Sequence, residues 1–146
     1  MAAEHQKYEV MKISEYVIKY YKDKNKPINN TRLQGVLYFI QAYFLMRTDN
    51  VCFIDDLEAR EVGPVVPNVY AKYSSYGPDP LPISKDYSEP IFTKADKEII
   101  DEVLDYTFSW SNSAMTNLIH DQRPYRHAKN THSRLIPPAK LKSYFG

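Results

Sequence analysis

Apolar side chains recur every three or four residues in several parts of the chain, which is typical of amphipathic helices. The first such stretch covers residues 12–24 and ends in lysines, which complement the negative end of a helix dipole. Its apolar face consists of Ile13, Tyr16, Val17 and Tyr20. We therefore predict a helix over residues 12–24, preceded by a polar and frayed N-terminus over residues 1–11.

The second periodic stretch, residues 30–47, is the most apolar part of the chain, so we expect it to form the central helix. Asn30 is the favoured N-cap, with Asn29 and Thr31 as alternatives. Gly35 lies inside this stretch, where a glycine costs about 1 kcal/mol relative to alanine. Its presence indicates that another element approaches the helix closely at this point.

The remaining patterns predict shorter elements. Residues 51–62 are rich in β-compatible side chains and predict a small hairpin or a pair of short strands. Residues 76–90 contain four prolines and predict a long loop, a feature that is often functional in a compact domain. Further helices are predicted to follow Thr93, Ser111 or Ser113, Pro124 and Pro137. The expected fold is mainly α: one compact domain over residues 12–146, with about six helices and a minor β element.

One segment joins a polar run, a tight turn and an apolar run. Residues 58–70 read EAREVGPVVPNVY. Gly63 allows a turn with positive φ, and the fixed φ of Pro64 suits the first position of a helix. Apolar residues then recur at helical spacing. The pattern predicts an extended segment that ends at Gly63 and a helix that begins at Pro64.

Composition limits the class of protein. A chain of 146 residues with 43% hydrophobic and 25% charged residues is typical of one soluble globular domain. Cys52 is the single cysteine, so no internal disulfide can form, which fits a reducing cytosol. No apolar run approaches the roughly 18 residues of a membrane span, and the N-terminus lacks an apolar signal core. We expect a cytoplasmic protein without membrane contact.

Charge is distributed unevenly. Residues 1–121 carry 13 basic and 18 acidic side chains, whereas residues 122–146 carry six basic and no acidic ones. Such a tail can pair with the acidic body, attract an acidic partner or bind nucleic acid. We favour internal pairing because the total charge is +1. Nucleic-acid binding is disfavoured, since the chain as a whole is not basic and shows no helix-turn-helix pattern.

Residue patterns of known catalytic sites are not found. His120, His127 and His132 are spaced by seven and five residues, not by the four that place two imidazoles on one helix face. No nucleophile elbow and no glycine-rich phosphate loop occur. We predict no catalytic residues, no metal and no cofactor. The chain is therefore expected not to be an enzyme, and a small metal-dependent enzyme is the last of the alternatives.

His120 is the histidine of most interest because it lies near a predicted helix end beside a sharp turn. The favoured interpretation is a buried structural histidine that hydrogen-bonds backbone carbonyls or a carboxylate such as Glu58 or Glu61. The alternatives are a residue that contacts a partner and a general acid–base, which needs a positioned second group.

Three segments together resemble the Panacea domain, a family of SocA-like antitoxins also described as phage-associated proteins. Residues 58–70 are similar to its Gly-Pro-Val signature, residues 33–39 (LQGVLYF) to its LQKLLYF helix, and residues 113–128 to its segment with a histidine and a Pro-Trp pair. The chain departs from the family pattern at Gly35, Ile119 and Tyr125, where lysine, threonine and tryptophan are usual. These departures put the partner surface in question, but not the fold.

The resemblance implies an antitoxin of a bacterial toxin–antitoxin system, encoded by a bacterium, prophage or phage, that neutralises a cognate toxin by direct contact. One branch of the family acts as a proteolytic adaptor that delivers the toxin to a host protease. An alternative is a phage- or prophage-encoded inhibitor of a host defence or regulatory enzyme. The partner is expected to be a protein, and a homodimer is left open.

The expected contact surface combines the hairpin segment with the segment around His120, because Tyr and Arg are common anchors of protein interfaces. The candidate partner-binding residues are Glu58, Arg60, Glu61, Gly63, Pro64, Val65, Tyr70, His120, Arg123, Pro124, Tyr125 and Arg126. One alternative is that the Gly-Pro-Val turn and His120 only hold the fold. Another is that buried motif residues shape a groove whose rim contacts the toxin.

Overall fold

The computed structural model of the chain describes residues 7–146, which form a mainly helical domain with one small antiparallel sheet. The helices of this part are α1 (Val10–Asp23), α2 (Asn30–Thr48), α3 (Pro67–Tyr73), α4 (Lys94–Thr107), α5 (Asn112–Asp121), α6 (Arg123–Lys129) and α7 (Pro138–Phe145). The strands are β1 (Leu57–Arg60), β2 (Gly63–Val65) and β3 (Leu135–Ile136). The predicted mainly α class with a minor β element is confirmed.

Helix α2 is the centre of the domain, as predicted. It is buried along most of its length and contacts α1, α3, α4, α5, α7 and strand β2. Its N-cap is Asn29, whose side chain accepts a hydrogen bond from the Arg32 amide at 2.9 Å. The favoured cap was therefore wrong: Asn30 is the first helical residue, and its side chain instead donates to the Tyr70 carbonyl at 3.0 Å.

Buried polar side chains on α2 hydrogen-bond the segments that surround it. Gln41 accepts from the amides of Cys52 and Phe53 at 2.8 and 3.3 Å and donates to the Phe53 carbonyl at 2.8 Å. Gln34 accepts from the Val66 amide at 2.8 Å. A buried backbone group without a partner costs about 1–3 kcal/mol, so these bonds stabilise otherwise irregular buried backbone.

Arg32 of α2 is a buried charged side chain that also hydrogen-bonds neighbouring backbone, here between α4 and α5. Its side chain is 3% exposed, and its guanidinium donates to the carbonyls of Thr107 and Trp110 and to the side chain of Asn112. Thr107 ends helix α4, so the cation lies at the negative end of that helix dipole. Arg32 thereby joins the end of α4 to the start of α5.

The sheet differs in position from the prediction. Strand β1 lies between β2 and β3, with Ala59 opposite Pro64 and Leu57 opposite Ile136, so the β element begins at Leu57 rather than Val51. Strand β3 was not predicted, because two residues carry no recognisable alternation.

The helix predicted to begin at Pro64 begins instead at Pro67. Pro64 lies in β2, an edge strand, where the missing N–H of proline is tolerated. Pro67 occupies the first helical turn, the position that was assigned to Pro64. The backbone therefore stays extended through the Gly-Pro-Val sequence, and the turn precedes it.

The described part of the predicted frayed N-terminus is bound to the domain, whereas residues 1–6 lie outside the described residues. Tyr8 donates its amide to the Cys52 carbonyl at 2.8 Å and its hydroxyl to Asp96 at 2.6 Å. Helix α1 begins at Val10, two residues before the predicted start. The prediction of fraying was wrong for these residues because contacts with segments distant in sequence hold them. The polar composition of the segment does not reveal such contacts.

The later elements follow the prediction closely. Residues 77–93 form no helix or strand, and Leu81 anchors this loop by donating its amide to the Ile28 carbonyl at 2.8 Å. Thr93 and Ser111 cap α4 and α5, and each accepts a hydrogen bond from the amide three residues later. The proline-rich loop and both caps are confirmed.

The close approach predicted at Gly35 is confirmed. A Cβ at this position would lie 2.8 Å from Sδ of Met115 and 3.5 Å from Cδ1 of Ile119. Both side chains belong to α5 and are buried. Gly35 is therefore the position at which α5 packs directly against the backbone of α2.

We predict that Gly35→Ala destabilises the wild-type protein but not a protein in which Met115 is alanine. Alanine adds about 1 kcal/mol of helix propensity, whereas forcing a methyl into a packed contact costs about 1–3 kcal/mol. Urea unfolding of the wild type, both single variants and the double variant measures this coupling. An equal effect of Gly35→Ala in the two backgrounds would show that Met115 does not set the constraint.

Candidate functional site

The Gly-Pro-Val sequence forms the second strand of a tight hairpin. Arg60 pairs with Gly63, so Glu61 and Val62 form a two-residue turn. Gly63 has φ +126°, a value that L side chains rarely adopt, which explains the glycine. Strand β2 is buried along its three residues and packs on α2 and α5. The hairpin therefore presents its turn, and not its Gly-Pro-Val strand, to solvent.

The hairpin is joined to the corner between α5 and α6. Tyr125 is 1% exposed, and its hydroxyl donates to the carbonyl oxygen of Arg60. At the same corner, the hydroxyl of Tyr38 on α2 donates to Oε1 of Gln122 at 2.6 Å. The two segments singled out in the sequence, about 60 residues apart, thus meet through Tyr125.

His120 completes this junction by stacking on Tyr125. The ring centroids are 4.6 Å apart, and the ring planes differ by 26°. Nε2 of His120 is buried and has no hydrogen-bond partner among residues 7–146, so the bond predicted to Glu58 or Glu61 is not formed. His120 is only partly buried, whereas a buried and hydrogen-bonded histidine was predicted, and its ring is held by packing on Tyr125.

The environment of His120 favours the neutral imidazole. Burial lowers the pKa of His120 below its usual value, and the nearby Lys129 ammonium lowers it further, whereas the Asp121 and Glu61 carboxylates oppose this. A small gap of about 20 Å³ separates the hairpin turn from α5 next to His120. This volume is enough for about one water molecule.

Charged and aromatic side chains form the exposed rim beside the hairpin. Arg60 pairs with Glu58 at 3.1 Å, and its guanidinium lies 5.7 Å from the centre of the Tyr70 ring. Glu61, in the turn, pairs with Lys129 at 3.4 Å. Exposed ion pairs of this kind contribute only about 0–1 kcal/mol, so they can be exchanged for contacts with a partner at little cost.

The basic tail pairs in part with the acidic body, as the charge distribution predicted. Lys129 binds Glu61, and Lys142 binds Asp49 at 2.8 Å. Arg126 lies exposed on α6 and donates to the Asp121 carbonyl at 3.4 Å. Internal pairing therefore accounts for two of the six basic side chains of this tail within the described residues.

Burial divides the twelve candidate residues into two groups. The buried group consists of Gly63, Pro64, Val65, Pro124 and Tyr125. The exposed or partly exposed group consists of Glu58, Arg60, Glu61, Tyr70, His120, Arg123 and Arg126. The buried group lies beneath the surface, and only the second group exposes side chains to solvent.

Sequence reasoning missed two kinds of residue. Val62 is a 40% exposed apolar side chain at the tip of the hairpin, and its position between Glu61 and Gly63 in a turn was the available signal. Gln34 and Tyr38 hold the junctions behind the surface. The sequence feature that could have revealed them is a polar side-chain group on the buried face of the most apolar helix.

Two other kinds of site were tested within the described part of the chain. Residues 7–146 contain no group of three or more histidine, cysteine, aspartate or glutamate side chains that could hold a metal ion. None of the helices in this part combines the length and the apolar character needed to traverse a bilayer. Cys52 is buried in the core, where desolvation raises the pKa of its thiol.

The fold and the surface define a class: a small, mainly helical domain in which a buried motif supports an exposed rim of mixed charge. Comparison with known families gives the relationship. The family model of the SocA-like antitoxin Panacea domain matches residues 33–125, more than half of the chain, and the protein belongs to this family. No curated protein and no solved structure matched the chain.

We predict that His120 makes the folded protein sensitive to mild acid. Its pKa is lower in the folded state than the value of about 6.5 in the unfolded chain, so the unfolded state binds a proton more readily as the pH falls. The stabilisation is complete above the unfolded pKa and is lost as the pH falls through the folded pKa. Between about pH 7.5 and pH 5, His120→Phe should therefore lose less stability than the wild type.

Urea unfolding at both pH values measures this difference. His132→Phe, at an exposed histidine, provides the background from other titrating groups. Equal losses in the wild type and in His120→Phe would contradict the prediction.

Proposed function

We propose that this protein is an antitoxin that neutralises a cognate toxin by direct protein–protein contact. The observation that carries the proposal is its membership of the SocA-like antitoxin family over residues 33–125, a range that includes both the hairpin and the α5–α6 corner. A hydrogen bond from the buried Tyr125 hydroxyl to the Arg60 carbonyl joins these two segments. The protein acts as a binding partner rather than a catalyst, in the cytoplasm of a bacterium.

The toxin binds the hairpin turn and the adjoining rim. Arg60 and Tyr70 are in contact before binding, so little side-chain freedom is lost when they become buried. Val62 adds exposed apolar area at the hairpin tip, and Glu61 and Arg123 add exposed charges of opposite sign. Aromatic and arginine side chains in a desolvated centre supply most of the energy in interfaces of this kind.

The buried motif fixes the geometry of this surface. Tyr125 holds the carbonyl of Arg60, and Gly63 provides the backbone conformation that ends the turn. The toxin does not need to touch either residue for both to be required. This is the arrangement in which a constant groove supports a rim that differs from one toxin to another.

Simple occlusion of the toxin is the mechanism that we propose. Delivery to a host protease requires a second, separate contact. Inhibition of a host defence or regulatory enzyme would use the same rim on a different target. The partner that binds the rim therefore distinguishes these functions.

We expect the product of a neighbouring reading frame to arrest growth when expressed alone and to be neutralised by co-expression of this protein. The purified pair should form a complex, and Arg60→Ala and Tyr70→Ala should each weaken it by about tenfold or more, which corresponds to about 1.4 kcal/mol. Lys85→Ala, on the exposed loop, is the matched control and should bind as the wild type does. Titration calorimetry measures the affinities, and thermal unfolding confirms that each variant is folded.

Two results would contradict the proposal in different ways. If both rim variants bind and rescue growth as well as the wild type, the toxin contacts another surface. If no neighbouring product is toxic and the rim instead captures a host enzyme whose activity it inhibits, the antitoxin function is wrong and the inhibitor function replaces it.

A further inference from the structure

A basic cleft lies between helices α6 and α7, next to the proposed toxin surface. It has a volume of about 180 Å³. Its lining consists of Arg123, Pro124, His127, Lys140, Ser143 and Tyr144. None of the lining side chains is acidic. The lining therefore presents cationic side chains and hydroxyl groups with no neutralising carboxylate.

The cations of the cleft differ from their neighbours in having no ion pair. Lys129 and Lys142, from the same basic tail, pair with Glu61 and Asp49. The ion pairs among residues 7–146 do not include Arg123 or Lys140. Two full positive charges therefore converge on one concavity and remain available to a ligand.

The cleft offers several kinds of donor from two helices. Arg123 brings a planar guanidinium, which lies 5.9 Å from the centre of the exposed Tyr144 ring. Lys140 brings a compact ammonium from α7. His127 and Ser143 complete the set with an imidazole and a hydroxyl group. A guanidinium fork beside an ammonium and hydroxyl donors matches the oxygens of a phosphate group.

We propose that this cleft binds a phosphate group, either as free phosphate or as the phosphate of a small organic monoester. A phosphate monoester carries a charge of about −1.5 to −2 at pH 7, which the charges of Arg123 and Lys140 balance, whereas a carboxylate balances only one of them. Lys140, His127, Ser143 and Tyr144 lie outside the toxin surface. Arg123 and Pro124 belong to both sites, so the test of phosphate binding uses Lys140, which lies outside the toxin surface.

NMR titration of the folded, labelled protein tests the proposal, with inorganic phosphate, adenosine monophosphate and acetate added separately at constant ionic strength. We expect saturable shifts of amides on α6 and α7 with both phosphates and much weaker effects with acetate. Lys140→Gln should weaken phosphate binding by about tenfold. Arg134→Gln removes an exposed charge from the same tail outside the cleft and should bind as the wild type does.

The results distinguish free phosphate from an organic monoester and show whether the cleft is a phosphate site at all. Equal binding of the two phosphates supports the free ion, and tighter binding of the nucleotide supports an organic monoester. The proposal is wrong if no shift saturates, if acetate binds as well as phosphate, or if Arg134→Gln weakens binding as much as Lys140→Gln. A single-stranded oligonucleotide is titrated in the same way, and the proposal is also wrong if it alone binds, with shifts that extend over Arg126 and Arg134.

Discussion

The whole domain depends on one buried helix whose polar side chains bond to other segments rather than to water. Helix α2 contacts six other elements, so a polar group on its buried faces is shielded from water. Without a protein partner, such a group would lose its hydrogen bonds. Arg32, Gln34, Tyr38 and Gln41 each hydrogen-bond a connection or a helix end. Apolar packing brings the surrounding elements to α2, and these directional bonds determine where the irregular segments between them lie. Tyr38 illustrates the cost of this burial, because desolvation raises the pKa of its hydroxyl and holds it as a neutral donor.

The same constraint extends to the proposed functional surface. Gln34 holds the end of strand β2 through Val66, and Tyr38 holds the α5–α6 corner through Gln122. Tyr125 then connects that corner to the hairpin. The exposed rim is thus supported from the central helix through these buried bonds, whereas its own ion pairs are weak. Under the proposed function, this division allows rim residues to change with the partner while the support stays constant.

Periodicity and caps predicted most of the helices, because long amphipathic or apolar stretches are local signals. The proline-rich loop, the caps at Thr93 and Ser111 and the close approach at Gly35 also followed from local chemistry. The strands of the sheet could not be placed from local patterns alone. Pro64 and Pro67 are both compatible with a helix start, and only the pairing of β2 with β1 decides between them. For the candidate site, the motif indicated which segments meet, but not which side chains are buried. Val65 and Tyr125 were grouped with Arg60 and Tyr70, although the first two face the core. Burial depends on tertiary packing, which no local pattern in these segments reports.

The central claim is that α2 positions the functional hairpin through specific buried hydrogen bonds, and hydrogen exchange at the Val66 amide tests it most directly. Val66 is fully buried and donates to Gln34 Oε1. In the wild type this amide should be as protected as that of Ala59 in β1, which donates to the carbonyl of Arg134, next to β3, at 2.8 Å. In Gln34→Met, protection of Val66 should fall by about fivefold or more relative to Ala59, because a bond worth about 1 kcal/mol or more is removed at one site. If Val66 exchanges freely in the wild type, or if Gln34→Met changes both amides equally, packing alone positions the hairpin and the account is wrong.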